Sequence, residues 1–105
     1  MSDTFKEDRE KEIQANRILI YGKGTKLMPM CGFSGTVVEI FKSFGEPFEM
    51  INVLDNPDIR ARLKEVTDWP TFPQVFVDGE FVGGCDIVRE MFDAGELEQL
   101  VKNGG

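Results

Sequence analysis

"ILIYGKGTKLMPMCGFSGTVVEIFKSFGEPFEMINV", residues 18–53, carries the alternation on which the fold turns. Ile18-Leu19-Ile20-Tyr21 is a short apolar run ended by glycine, which reads as a buried strand. Gly22, Gly24 and Pro29 then mark a loop that delivers the chain to Cys31. From Ser34 onward, Val37, Val38, Phe41 and Phe44 recur at three- and four-residue spacing, and Gly45 closes the pattern. That is an amphipathic helix with a C-terminal stop. Phe48 to Val53 reads as a second strand. Two strands joined by a helical crossover are expected to lie parallel, with a right-handed connection.

The flanks extend this core. Residues 3 to 15 form a charged segment with apolar positions at Phe5 and Ile13, read as a surface helix. Asn56-Pro57 looks like a helix cap with proline in the first turn, followed by Ile59, Leu63 and Val66 on one face. Trp69-Pro70-Thr71-Phe72-Pro73 holds two prolines in five residues and is not regular structure. Gln74 to Val77 and Glu80 to Val82 flank Asp78-Gly79, a hairpin signal. Gly83-Gly84 breaks the second of these strands. Asp86 is placed to cap a helix with apolar pairs Ile87/Met91 and Val88/Phe92, stopping near Gly95, and Leu97, Leu100 and Val101 suggest a short final helix. The expectation is a single α/β domain over residues 1–105. It is a four-stranded mixed sheet with helices on both faces, of thioredoxin-like topology.

Composition narrows the chemistry. At 105 residues, a chain of this size buries about 65% of its unfolded surface, enough for one modest core. Hydrophobic residues at 41% and charged residues at 30% are ordinary globular proportions. A net charge of −7, with no basic stripe, argues against nucleic acid as a partner. The longest apolar runs fall far short of the ~20 residues needed to span a bilayer, so no membrane is expected. The charged N-terminal stretch does not read as a secretory signal, and two cysteines are too few for a disulfide scaffold, so a cytoplasmic, reducing compartment is expected. Histidine is absent, which removes Ser-His-Asp catalysis, Cys-His pairs and imidazole zinc sites.

Soft-metal chemistry must therefore run through Cys31, Cys85 or a ligand brought from outside. Cys31 lies just before a helix start, where unpaired N–H groups and the helix dipole favour a thiolate, with Lys23 and Lys26 as neighbouring cations. Ser34 stands where a C-x-x-C dithiol would place its second sulfur, so Cys31 needs a second thiol from solvent, a partner or Cys85 to resolve a mixed disulfide. The fold sketched above brings the Cys85 loop to the same side of the sheet, and Cys85 reads either as a resolving thiol or as filler beneath the last helix. A cis bond at Phe72–Pro73 would offer the Phe72 main chain to an extended peptide. Gly83-Gly84 permits close backbone approach, and the helix N-terminus after it suits a carboxylate. Asp86 caps that helix or pairs with a ligand amine, and Lys23 and Arg60 read as partners for a second carboxylate. The implied ligand is a short thiol peptide with carboxylates at its ends and an amine at one, the description of glutathione.

Lys23-Gly24-Thr25, Cys31-Gly32-Phe33-Ser34, Trp69-Pro70-Thr71-Phe72-Pro73-Gln74 and Val82-Gly83-Gly84-Cys85-Asp86, in that order, resemble the motifs of monothiol glutaredoxins of the Cys-Gly-Phe-Ser class. The resemblance covers essentially the whole chain. It implies a thioredoxin fold that binds glutathione and shares a [2Fe–2S] cluster between two protomers, with Cys31 as the iron ligand. Glutathione would be held by Lys23, Arg60, Phe72 before a cis Pro73, and the Gly84-Cys85-Asp86 turn, with Phe33 closing over the cluster side. Gly22 and Lys26 depart from residues common in the family, which leaves the stiffness of the loop open. A four-thiolate cluster needs two chains. The four are either two Cys31 plus two glutathione thiols, the arrangement favoured here, or Cys31 and Cys85 from each chain. The implied partners are a second copy when cluster-bound (a monomer otherwise), recipient iron–sulfur apo-proteins and BolA-type proteins. The alternative function is glutathione-dependent removal of glutathione from protein thiols, with a Cys31–Cys85 disulfide as a further redox possibility.

Overall fold

Apolar residues on both sides of a strand can be buried only if both faces of its sheet are covered. All five residues of β1 (Ile18–Gly22) are buried in the computed structural model, which describes residues 3–103. Positions 1–2 and 104–105 of the expected 1–105 domain lie outside the described residues. Around β1 the chain is ordered as α1 (Phe5–Ala15), β1, α2 (Gly32–Ser43), β2 (Glu49–Asn52), α3 (Pro57–Arg62), α4 (Lys64–Thr67), β3 (Gln74–Val77), β4 (Glu80–Gly83), α5 (Cys85–Asp93) and α6 (Glu96–Asn103). The sheet order is β2-β1-β3-β4. β1 and β2 pair in parallel with Leu19 opposite Glu49, and β1 and β3 pair antiparallel with Leu19 opposite Phe76. The βαβ unit read from residues 18–53 is present, and so is the mixed four-stranded sheet.

The two-residue period of β1 and β3 sorts the core. Ile18, Ile20, Val75 and Val77 face α2, α5 and α6, where Val37, Phe41, Val88, Leu97 and Val101 meet them. Leu19, Tyr21 and Phe76 face the other layer, against Phe5 and Ile13 of α1 and Ile59 and Leu63. α1 therefore lies on the surface yet seals one sheet face. Tyr21 completes that layer with a hydroxyl donated to Glu12 at 2.6 Å, and burial with this carboxylate pushes the phenol far above its ordinary range.

Several boundaries differ from the sequence reading, each for a local reason. α2 begins at Gly32 rather than Ser34, because Cys31 serves as its N-cap. The second strand is shorter than 48–53 and ends at Asn52, where the chain turns with the Asp55 N–H donated to the Asn52 carbonyl and the Asn56 N–H to the Val53 carbonyl, both at 3.2 Å. Asn56 does hold the cap position of α3, but its side chain donates to the Asn52 carbonyl at 2.8 Å instead of capping. The single helix expected through Ile59, Leu63 and Val66 is divided at Leu63 into α3 and α4. Asp86 is not a cap: Gly84 holds that position before α5, and Asp86 stands exposed one residue inside the helix.

The loop between β1 and α2 is tightly tied. Gly24 bridges to Pro29, Met30 N–H donates to the Lys23 carbonyl at 2.8 Å, and Thr25 N–H donates to the Met28 carbonyl at 3.0 Å. Gly24 has φ +97°, and a Cβ there would sit 2.4 Å from the Met28 carbonyl oxygen and 2.5 Å from the Met30 nitrogen. Lys26 adds a second anchor, donating to the Phe48 carbonyl at 2.6 Å and lying 5.0 Å from the centre of the Phe48 ring. The stiffness that Gly22 and Lys26 left open is thus supplied by these bonds. Gly24→Ala is expected to lower unfolding stability by roughly 1–3 kcal/mol through steric strain in this turn. Chemical denaturation measures it, and an unchanged midpoint would contradict the tight-turn account.

Candidate functional site

Cys31 is half-buried, with extended backbone at the N-cap of α2, so its sulfur faces the free N–H groups of the first helical turn. The sulfur lies 3.4 Å from the Ser34 nitrogen and 3.4 Å from the Ser34 hydroxyl oxygen. As a thiolate it accepts from both. Ser34 is itself fully buried, and its hydroxyl oxygen accepts the Lys23 N–H at 3.0 Å. A Cβ on Gly22 would lie 3.2 Å from that oxygen, so the glycine leaves the room the serine occupies. Burial raises the Cys31 pKa, but the Ser34 hydroxyl, the Ser34 and Phe33 N–H groups and the Lys23 charge outweigh it, and the thiol is held below its ordinary value.

Beside this thiol runs a groove of about 540 Å³. The tertiary structure brings Lys23, Phe33, Arg60, Phe72, Gly84, Cys85 and Asp86 to its walls, seven of the nine positions singled out in the sequence. Cys31 and Pro73 are not among the lining residues. Pro73 is buried beneath, and the Phe72–Pro73 bond is cis. Among the described residues the Phe72 main-chain N–H and C=O have no hydrogen-bond partner. Lys23 and Arg60 form no ion pair among the described residues, which leaves two cations facing the groove unneutralised.

Trp69, Pro70 and Thr71 also line the groove, a contribution the sequence did not assign to them. Their position is held from behind by Gln74, fully buried, whose side-chain amide donates to the Trp69 carbonyl at 2.9 Å and the Thr71 carbonyl at 3.1 Å. A Cβ at Gly84 would come 3.0 Å from the Trp69 indole nitrogen and 3.3 Å from the Pro73 carbonyl oxygen, so a side chain there would press on the groove wall. Ser34 and Gln74 were legible only as a missing thiol and the end of a motif. No local pattern marks a buried hydroxyl or amide that organises a loop.

Cys85 lies in the same groove but differs in kind. It is buried, and burial first, then the Asp86 charge, push its thiol up, while nearby Arg89 draws it down. Cys31 and Cys85 interact electrostatically and both are free, with no disulfide between them. The pair is therefore one activated thiol and one quiet one. No helix among the described residues is long and apolar enough to cross a membrane.

A cysteine at a helix N-cap, its thiol held below its ordinary value, beside a cis-proline loop on a four-stranded mixed sheet, defines a thioredoxin-fold thiol protein with a groove beside the thiol. The Glutaredoxin family pattern matches residues 18–82. The chain is 52% identical over 102 residues to Glutaredoxin 4 of Escherichia coli strain K12, covering 97% of this chain and 88% of that one. It is 46% identical to the chloroplastic monothiol glutaredoxin-S14 of Arabidopsis thaliana, covering 97% of this chain and 59% of that protein. Among solved structures, a buckwheat glutaredoxin–glutathione complex superposes with a TM-score of 0.82 at 26% identity, over 93% of this chain and 87% of that one. The chain belongs to the glutaredoxin family and is a monothiol member of it.

Two measurements check the charge logic of the site. Alkylation by iodoacetamide is expected to label Cys31 at a pH where Cys85 stays unmodified, with the Cys31 rate falling as pH drops through its depressed pKa. Ser34→Ala is expected to move that midpoint upward, since both the hydroxyl donor and the Lys23 tether are lost. An unmoved midpoint would leave the helix N-terminus alone as the cause.

Proposed function

We propose that this glutaredoxin binds glutathione in the groove and, as a pair of chains, carries a [2Fe–2S] cluster that it passes to recipient apo-proteins. The observation that carries this reading is the Cys31 thiol itself. It is held towards thiolate at the edge of a groove with two unpaired cations, and a hydroxyl stands where a second thiol would sit. Thiolate is the form that ligates iron.

The residues fit such a cargo only in duplicate. No three His, Cys, Asp or Glu side chains gather to hold a metal among the described residues, so a single chain supplies too few ligands. Two Cys31 thiolates and two glutathione thiols complete four. Cys85, buried and with its thiol pushed up, is the poorer donor, which favours glutathione over Cys85 as the second ligand. In the groove, Lys23 and Arg60 suit one glutathione carboxylate, the N-terminus of α5 at Gly84 suits the other, and Asp86 suits the amine. The Phe72 main chain is free to pair with the peptide, and Phe33, exposed on the first turn of α2, covers the cluster side. The solved buckwheat relative holds glutathione, in keeping with this assignment. Recipient iron–sulfur proteins and BolA-type proteins are the partners we assign, in a reducing cytoplasm that keeps both thiols free.

Deglutathionylation is the second reading, favoured by the same activated thiol. Cys31 thiolate would attack the glutathionyl sulfur of a mixed disulfide, the protein thiolate would leave, and a second glutathione would release glutathione disulfide. Without a thiol at position 34, resolution must come from outside or from Cys85.

Anaerobic reconstitution with iron, sulfide and glutathione separates the two. Coloured dimers are expected that require glutathione, disappear in Cys31→Ser and persist in Cys85→Ser. A colourless monomer would overturn the carrier reading and leave thiol exchange as the account of Cys31. Lys23→Ala and Arg60→Ala are each expected to weaken glutathione binding about tenfold, the worth of one charge-assisted bond. Isothermal titration checks this, and unchanged affinity would move the ligand elsewhere.

A further inference from the structure

The longest uncharged run in the chain is residues 27–38, LMPMCGFSGTVV, in a molecule of net charge −7. Six large apolar side chains stand exposed among the described residues, and four belong to this run: Leu27 at 93%, Met28 at 68%, Met30 at 61% and Phe33 at 63%. They flank Cys31 along the chain. The loop bonds that tie Gly24 to Pro29 and Met30 to Lys23, with Met28 N–H donated to the Thr25 hydroxyl at 3.0 Å, keep this apolar tip from folding back onto the sheet. A preorganised apolar surface held in water is a docking surface. Two copies of a strongly acidic chain approach each other with least repulsion across a stretch that carries no acidic side chain. Pairing there also brings the two Cys31 thiols together, so a second copy is the occupant.

We propose that Met28 and Met30 form a reversible oxidation site that governs whether a second copy of this chain docks over Cys31. The proposal rests on the shared-cluster reading above. The other methionines in the described residues, Met50 and Met91, are partly buried against the core, whereas these two present their thioethers to solvent. A two-electron oxidant such as hypochlorous acid converts a thioether to a sulfoxide. An S=O bond forms, the O–Cl bond breaks, and chloride and a proton leave; sulfur loses two electrons and chlorine gains them. Two sulfoxides place strong dipoles in a contact that must exclude water, and pairing is lost. A dithiol methionine sulfoxide reductase reverses the change, forming its own disulfide while the oxygen leaves as water.

The test uses the full chain with Cys31 capped as its glutathione mixed disulfide. Hypochlorous acid is added, the cap is removed with dithiothreitol, which leaves sulfoxides in place, and peptide mass mapping locates oxygen on Met28 and Met30. Treated and untreated samples are then reconstituted anaerobically and their dimer fraction is read by light scattering. The treated chain is expected to pair at least ~tenfold more weakly and to recover after treatment with the reductase. A Met28→Leu/Met30→Leu chain keeps an apolar face without sulfur, and its pairing is expected not to change between its own treated and untreated samples. Equal pairing of treated and untreated native chain overturns the proposal, as does an equal loss in the double variant, which would place the damage elsewhere. If the untreated native chain neither colours nor pairs, the shared-cluster reading fails, and this site falls with it.

Discussion

A strand buried on both faces must be covered on both sides and hydrogen-bonded on both edges, and β1 imposes that demand on the rest of the chain. Its parallel neighbour β2 requires a crossover, which is α2. Its antiparallel neighbour β3 is reached after α3, α4 and the cis-proline loop. Because the α2 crossover starts at the C-terminal end of β1, the loop before it, its first N–H groups and Cys31 gather at one end of the sheet. β3 begins at the same end, directly after Pro73, and β4 leaves there at Gly83. The groove is the meeting point of these three chain segments.

Within that groove the chemistry depends on a few buried polar atoms. The Ser34 hydroxyl links the main chain just beyond β1 to the Cys31 sulfur, and Gln74 holds the wall opposite. Asn52, at the end of β2, accepts the Gly24 N–H at 2.9 Å and secures the loop from the other side. These hydrogen bonds fix geometry in a low-dielectric setting, and Gln74 makes its two through the amide nitrogen while its buried Oε1 has no partner among the described residues. The two cysteines then separate by environment: N–H donors and a hydroxyl favour charge on Cys31, while burial and Asp86 oppose it on Cys85.

The same economy explains the surface. The chain is strongly acidic, yet residues 27–38 around Cys31 carry no charged side chain. Leu27, Met28 and Met30 are not spare core, since they sit on a loop braced by Lys26 and by the Gly24–Pro29 bridge. Phe33 belongs both to this exposed apolar stretch and to the wall of the groove.

Much of this was legible in residues 18–53, because apolar spacing reports directly which faces must be buried, and in the Asp78-Gly79 hairpin, because positive φ at both turn residues matches the right-handed twist of the strands. Element ends were less legible. The N-cap of α5 fell to Gly84 instead of Asp86, and the helix through Leu63 divided, since caps and breaks answer to neighbours distant in sequence. Residue spacing and composition were enough to give the βαβ core, the lone thiol at position 31 and the absence of imidazole chemistry. Folding was needed to show that Lys23, Arg60, Trp69 and Cys85 share one groove, that the Ser34 hydroxyl and N–H lower the Cys31 pKa, and that burial raises that of Cys85. The reason is physical: burial pattern is a property of spacing along the chain, whereas pKa and ligand fit depend on what the fold brings within a few ångströms.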